Sequence, residues 1–90
     1  MNKAEIIEVI ADKIDVAKSD VEYVVDELLH TIEKEIIKGN EVKLSSFGVF
    51  YKKERLARKG TNPSSGEIIT IPANNTVGFR PSKNLKAKLN

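Results

Sequence analysis

Residues 52–59 read KKERLARK, where Lys52, Lys53, Arg55, Arg58 and Lys59 stand against a single acid, Glu54. Such groups stay cationic at neutral pH and do one kind of chemistry well, holding phosphate or carboxylate oxygens by charge-assisted hydrogen bonds. The next stretch, GTNPSSGE at 60–67, consists of turn formers around Asn62-Pro63. Alternation along an extended strand puts Lys53, Arg55, Ala57 and Lys59 on one face, and small Ala57 leaves room for another surface to come close. A two-stranded ribbon of this kind fits a nucleic-acid groove, with Lys and Arg positioned on phosphates. At its tip Pro63 has a fixed φ and no N–H, so it is a rigid apolar body. It either shapes the turn or acts as a wedge that unstacks a base step. The residues leave both readings open.

Other chemistry has little to work with. There is no Cys, and His30 is the only His, so no metal-ligand spacing and no thiolate site can be assembled. His30 falls on a helical segment and reads as a surface or interface residue. No catalytic residue, metal or cofactor, and no small-molecule substrate, is expected. The apolar positions of MNKAEIIEVIADKI are interrupted by charges, unlike a signal peptide, and no apolar run reaches the length of a membrane span. The expectation is a soluble, cytoplasmic chain with no membrane partner.

Charge is segregated along the chain. Residues 1–40 carry five Lys against ten acids (−5), and residues 41–90 carry ten Lys and Arg against Glu41, Glu54 and Glu67 (+7), which sum to the overall +2. A mixed solvated surface explains either half alone but not the separation. The second half is suited to a polyanion.

The elements that must position these groups follow from periodicity. Asn2 with Glu5 three residues on is an N-cap signature, and Ile6, Ile7, Ile10 and Ile14 follow helical spacing, predicting a helix over 3–14. Val21, Val24, Val25, Leu28, Leu29, Ile32 and Ile36 form a longer stripe that Gly39 ends. Either Asp15 or Ser19 could cap its start. After Asn40 the period becomes two: EVKL is a short strand, SSFG a turn, VFYKKERLARK a long strand, EIITI its return, and VGFR a last strand after Pro72. Ser82 then caps a short helix with Leu85 and Leu89 turned inward. The fold class is α+β: two N-terminal helices, a three-stranded antiparallel sheet with a long protruding β-hairpin arm at about 52–76, and a short C-terminal helix. One domain, 1–90, is expected, its helical part at 1–40 and its sheet part at 41–90.

A lone two-stranded ribbon is marginal in water. Without the arm about 65 residues remain, near the lower limit for a single core. Yet Leu28, Leu29 and Ile32 on the second helix, with Phe47, Phe50 and Phe79, offer more apolar surface than one short helix covers. An intertwined homodimer, its helices and phenylalanines interleaved about a twofold axis, resolves this.

The chain resembles the HU/integration host factor family of bacterial histone-like DNA-binding proteins over all of its ninety residues. The matching stretches are MNK, KGNEVKLSSFGVF at 38–50, ERLARKGTNPSSGEIITIPA at 54–73 and FRPSKNLK at 79–86. The family pattern Arg-x-x-Arg-x-Gly-x-Asn-Pro-x-x-Gly is met by Arg55, Arg58, Gly60, Asn62, Pro63 and Gly66. The resemblance implies a dimer whose two arms embrace double-stranded DNA with Pro63 intercalating and Lys53, Arg55, Arg58, Lys59 and Asn62 along the arm. It also implies that Lys3, Lys18, Arg80, Lys83 and Lys86 hold phosphates on the body and that Phe47, Phe50 and Phe79 form a shared core. Thr61 stands where a basic residue is usual, Ser46 where Gly is, Ala17 where a Ser or Thr cap is, and Val77 and Ser82 where Pro and Gly are frequent.

The implied function is histone-like: bending and compaction of duplex DNA in the nucleoid through minor-groove contacts, largely without sequence specificity. Closest within the family is the HU branch. The alternative is a sequence-specific bender of the integration host factor type, or a phage-encoded homologue. A pure protein-interaction module would leave the basic arm idle. RNA is the poorer partner, because the deep, narrow A-form major groove suits a ribbon badly and no aromatic stacking platform is present.

Overall fold

The computed structural model describes every residue from Met1 to Asn90. It divides into two compact units, Met1–Lys34 and Glu35–Asn90.

The first unit is a helical hairpin. Helix α1 spans Lys3–Ile14 as its periodicity predicts, and the Asn2 side chain accepts the Glu5 amide at 2.9 Å. Asp15 ends it in the left-handed conformation (φ 54°), and Val16 N–H donates back to the Ala11 carbonyl. Helix α2 covers Lys18–Ile37. Neither proposed side-chain cap starts it: Asp15 closes α1, and Ser19 already lies inside α2. The Asp20 and Val21 amides instead donate to the Ala17 carbonyl, so an alanine occupies the cap position. Ile7, Ala11 and Val21 are buried here, with Ile10 and Val25 packed against them. The core stops there, since Ile6, Ile14, Val24, Leu28 and Leu29 remain exposed.

In the second unit α2 ends on Gly39 (φ 87°), whose N–H donates to Ile36 O while Asn40 N–H donates to Glu35 O. This is a Schellman closure, and the left-handed residue it needs is the glycine. Strands β1 (Val42–Leu44), β2 (Gly48–Arg55) and β5 (Asn74–Pro81) form an antiparallel sheet in the order β1-β2-β5. A separate ribbon pairs β3 (Arg58–Thr61) with β4 (Ile68–Ile71). Helix α3 (Lys83–Leu89) is capped by Ser82, whose hydroxyl accepts the Leu85 amide at 3.1 Å. Leu85 is half-buried, but Leu89 in the last turn is left exposed rather than turned inward.

The β1–β2 turn needs a left-handed residue, and Ser46 supplies it at φ 65°. A Ser costs more there than a Gly, and a hydrogen bond from Asn84 Nδ2 to Ser46 Oγ (3.2 Å) partly offsets the strain. Beside this turn Phe79 packs on Phe50 (centroids 4.8 Å apart) and Phe47 (5.4 Å). Its ring lies over Gly48, where a Cβ would come within 2.6 Å of both the ring and the Arg80 carbonyl. Because one of those neighbours is backbone, Gly48→Ala should cost about 1–3 kcal/mol, as overpacking does. Thermal unfolding measures it, and an unchanged midpoint would mean that the aromatic cluster yields freely.

Candidate nucleic-acid interface

The arm is built in two hydrogen-bonded sections. In the proximal one β2 and β5 pair through Lys52↔Val77, Lys53↔Thr76, Glu54↔Asn75 and Arg55↔Asn74. Pairing then lapses on both strands at one level, at Leu56–Ala57 and Pro72–Ala73, and resumes with Arg58↔Ile71, Lys59↔Thr70, Gly60↔Ile69 and Thr61↔Ile68. Pro72 has no N–H to donate, so the ladder cannot run through it. The long strand expected from VFYKKERLARK is therefore two strands. Lys53 and Arg55 share a face of β2; Ala57 is in neither ladder, and pairing resumes beyond it in the same register, Arg55↔Asn74 being followed by Arg58↔Ile71.

The distal ribbon has two unlike faces. A Cβ built on Gly60 would meet Ile71 Cδ1 at 3.0 Å and Ile69 Cγ1 at 3.9 Å. These isoleucines thus lie on the Gly60 face, which by the register also carries Arg58. The other face carries Lys59, Thr61, Ile68 and Thr70. Residues 58–67 lack a buried apolar side chain, and hydrogen bonds close their loop instead. Asn62 N–H donates to Glu67 O (2.8 Å), Gly66 N–H to Asn62 O (2.7 Å), and Ser64 N–H to Asn62 Oδ1 (2.9 Å). Gly66, at φ 74°, allows the return. Asn62 is half-buried and organises the loop, while Pro63 beside it is exposed. Its part in closing the turn was missed in the sequence, although Asn next to Pro is a known signal for such local bonding.

All the arm cations, Lys52, Lys53, Arg55, Arg58 and Lys59, are exposed, and none pairs with a carboxylate. The body cations are a mixed set. Lys3 is held by Asp26, and Lys18 lies 3.5 Å from Glu8. Arg80 reaches Glu41 at 3.1 Å, with its guanidinium 4.8 Å from the centre of the Tyr51 ring. Lys83 and Lys86 on α3 are exposed and unpaired. The Asp26 carboxylate, by hydrogen bond first and by charge, raises the Lys3 pKa above its ordinary value. The stability this lends is present through the neutral range, where Asp26 is a carboxylate and Lys3 a cation, and is lost as pH rises through the raised value. Both partners are about half exposed (51% and 47%), so the pair contributes little.

The apolar residues expected at a dimer core remain open to solvent in the single chain. Leu28 and Leu29 are each 49% exposed, Phe47 46% and Phe79 39%, while Ile32 and Phe50 are half-buried. No side chain anywhere is fully buried. A recess of the helical hairpin, lined by Lys3, Ala4, Ile7, Glu8, Lys18 and Glu22, holds about 500 Å³ and is bordered by the two ion pairs of Lys3 and Lys18. No group of His, Asp and Glu is placed to hold a metal ion, and no helix is long and apolar enough to cross a membrane.

Comparison with known proteins agrees with this arrangement. The bacterial DNA-binding protein family matches residues 1–90. DNA-binding protein HU of Clostridium pasteurianum is 41% identical over 90 residues, covering 100% of this chain and 99% of the relative. The HU of Geobacillus stearothermophilus is 42% identical over 86 residues, or 96% of each chain. Among solved structures, an Anabaena HU–DNA cocrystal superposes with a TM-score of 0.90 at 36% identity, covering 99% of this chain and 97% of that one. HU from Thermotoga maritima gives a TM-score of 0.71 at 29% identity, covering 100% of both chains. With a match running from the first residue to the last, the chain belongs to the bacterial DNA-binding protein family, alongside the HU proteins.

Proposed function

We propose that this chain works as a homodimer that bends and compacts duplex DNA, with one arm from each protomer in the minor groove and residues 1–90 acting as one DNA-binding domain. The observation that carries this reading is the arm itself: a ribbon of exposed, unpaired cations leading to a hydrogen-bonded loop that presents Pro63. Architectural minor-groove proteins, HU-type proteins among them, insert apolar wedges between base steps and gain phosphate contacts from the resulting bend. The loop bonds of Asn62 hold Pro63 in place for that task. Lys53, Arg55, Arg58 and Lys59 would line the arm, and Lys83 and Lys86 would extend the phosphate track. Lys3, Lys18 and Arg80 would join it by exchanging Asp26, Glu8 and Glu41 for phosphates. Phe47, Phe50, Phe79, Leu28, Leu29 and Ile32 would be covered by the second protomer. The Anabaena protein crystallised with DNA supports this assignment, and the HU names of the curated relatives favour a general packaging role, nucleoid-associated and without catalysis, over a site-specific one.

Gel shifts with duplex DNA, duplex RNA and single strands across a salt series test the partner. Duplex DNA should bind tightest, and preferred binding to RNA would overturn the assignment. The wedge has its own test. Pro63→Ala removes shape and no charge, so at saturation it should reduce the bend of an end-labelled duplex, read by energy transfer, more than it reduces affinity. Nicked or gapped DNA, where unstacking is already done, should be affected least. An unchanged bend angle would leave Pro63 a turn residue.

A further inference from the structure

Resting on the proposed DNA-binding role, we infer that Ile68 is a second apolar DNA contact at the arm's tip, working beside Pro63. Ile68 is 75% exposed, although its neighbour Ile69 is 44% exposed and Ile71 is half-buried. The register explains the difference. Ile69 and Ile71 share the Gly60 face and cover that glycine, whereas Ile68 lies on the opposite face, paired with Thr61, where nothing in the arm covers it. The Thr61↔Ile68 pair is the last rung before the loop that the Asn62–Glu67 hydrogen bond closes, so Ile68 sits one rung below the segment presenting Pro63.

The same face carries Lys59 two residues from Thr61, so a groove that receives Lys59 also receives Ile68. The terminal rung itself is uncharged: Thr61 occupies the position where the resembling family has a base, and its cross-strand partner is an isoleucine. A cation there would gain from phosphates by counterion release. A branched alkyl group gains only by leaving water, against the C–H edges of deoxyriboses and the base step that Pro63 opens. The tip of this chain therefore grips by an apolar pair, Pro63 and Ile68, and leaves the electrostatic hold to the cations farther down the arm.

The test compares the full-length protein with Ile68→Ser and Ile68→Lys on a short end-labelled duplex, measuring affinity, salt slope, bend and thermal midpoint. Ile68→Ser should bind roughly tenfold more weakly, the effect of failing to bury about half an isoleucine side chain. Its salt slope and thermal midpoint should match those of the wild type, because the side chain is neutral and exposed. Ile68→Lys should steepen the slope by about one phosphate per arm. Affinity of Ile68→Ser within about twofold of wild type, a flattened slope, or a lowered thermal midpoint would each overturn the inference, the last by making Ile68 a structural residue of the ribbon. Arg55→Glu with Arg58→Glu serves as the control. If that variant loses binding while Ile68→Ser does not, only the role of Ile68 fails; if neither loses binding, the DNA reading of the arm fails.

Discussion

Reversing Arg55 and Arg58 to Glu should lower affinity for duplex DNA at least a thousandfold at about 0.1 M salt, the largest effect expected of any pair of substitutions in this chain. Each protomer would exchange two phosphate-binding cations for two phosphate-repelling anions, so a dimer would change at four points along the backbone. Neither arginine has a carboxylate partner within the chain, and both are exposed, so their loss removes binding without unfolding the body. The salt dependence reports the same thing. If about 6–10 phosphates are neutralised, log K falls against log salt with a slope of roughly −5 to −9, and the variant's slope should be shallower by about 3–4. Lys34→Glu makes a charge change of the same sign in α2, within the acidic unit, and should alter little. Fluorescence anisotropy over a salt series distinguishes them, and equal losses from the two changes would show that the DNA surface lies elsewhere.

Phe79→Ala should remove about 3–5 kcal/mol of stability, as large aromatic truncations do, and should do so in a concentration-dependent manner. Phe79 is the ring that joins the other two, packing on both Phe50 and Phe47. Within one chain it is still 39% exposed, and no side chain of the chain is fully buried. A core this open is what the proposed second copy would close over. Loss of the ring would weaken folding and association together, and diluting the variant should lower its thermal midpoint further. Sedimentation that found a folded monomer at micromolar concentration would sink the dimer.

Periodicity alone was enough to place α1 and the body of α2. α1 runs from Lys3 to Ile14 as its isoleucine spacing predicts, and Gly39 and Ser82 close and cap where their conformational preferences say they should. The identity of the arm was equally legible, because cations, turn formers and Asn-Pro follow one another within a few residues, and their chemistry is a property of composition and order. What the sequence could not settle depends on cross-strand neighbours. The single long strand became two because the partner strand loses its ladder at Pro72, a fact about register between residues far apart in the chain. The start of α2 was obscure because Ala17 offers its carbonyl and no side chain, leaving no cap for a sequence reading to find.

By itself, then, the order of residues determined the element types, the segregation of charge and the presence of a basic, proline-tipped ribbon, since each follows from interactions within a few positions. Only the tertiary structure decided which face of the ribbon each side chain occupies, that Ile69 and Ile71 cover Gly60 while Ile68 stays bare, and that Arg80 is shared between Glu41 and Tyr51. The physical reason is that pairing register and side-chain neighbours come from long-range packing. A shift of a single residue in the β3–β4 pairing would move every β4 side chain to the opposite face relative to β3 while leaving every local preference in the sequence satisfied.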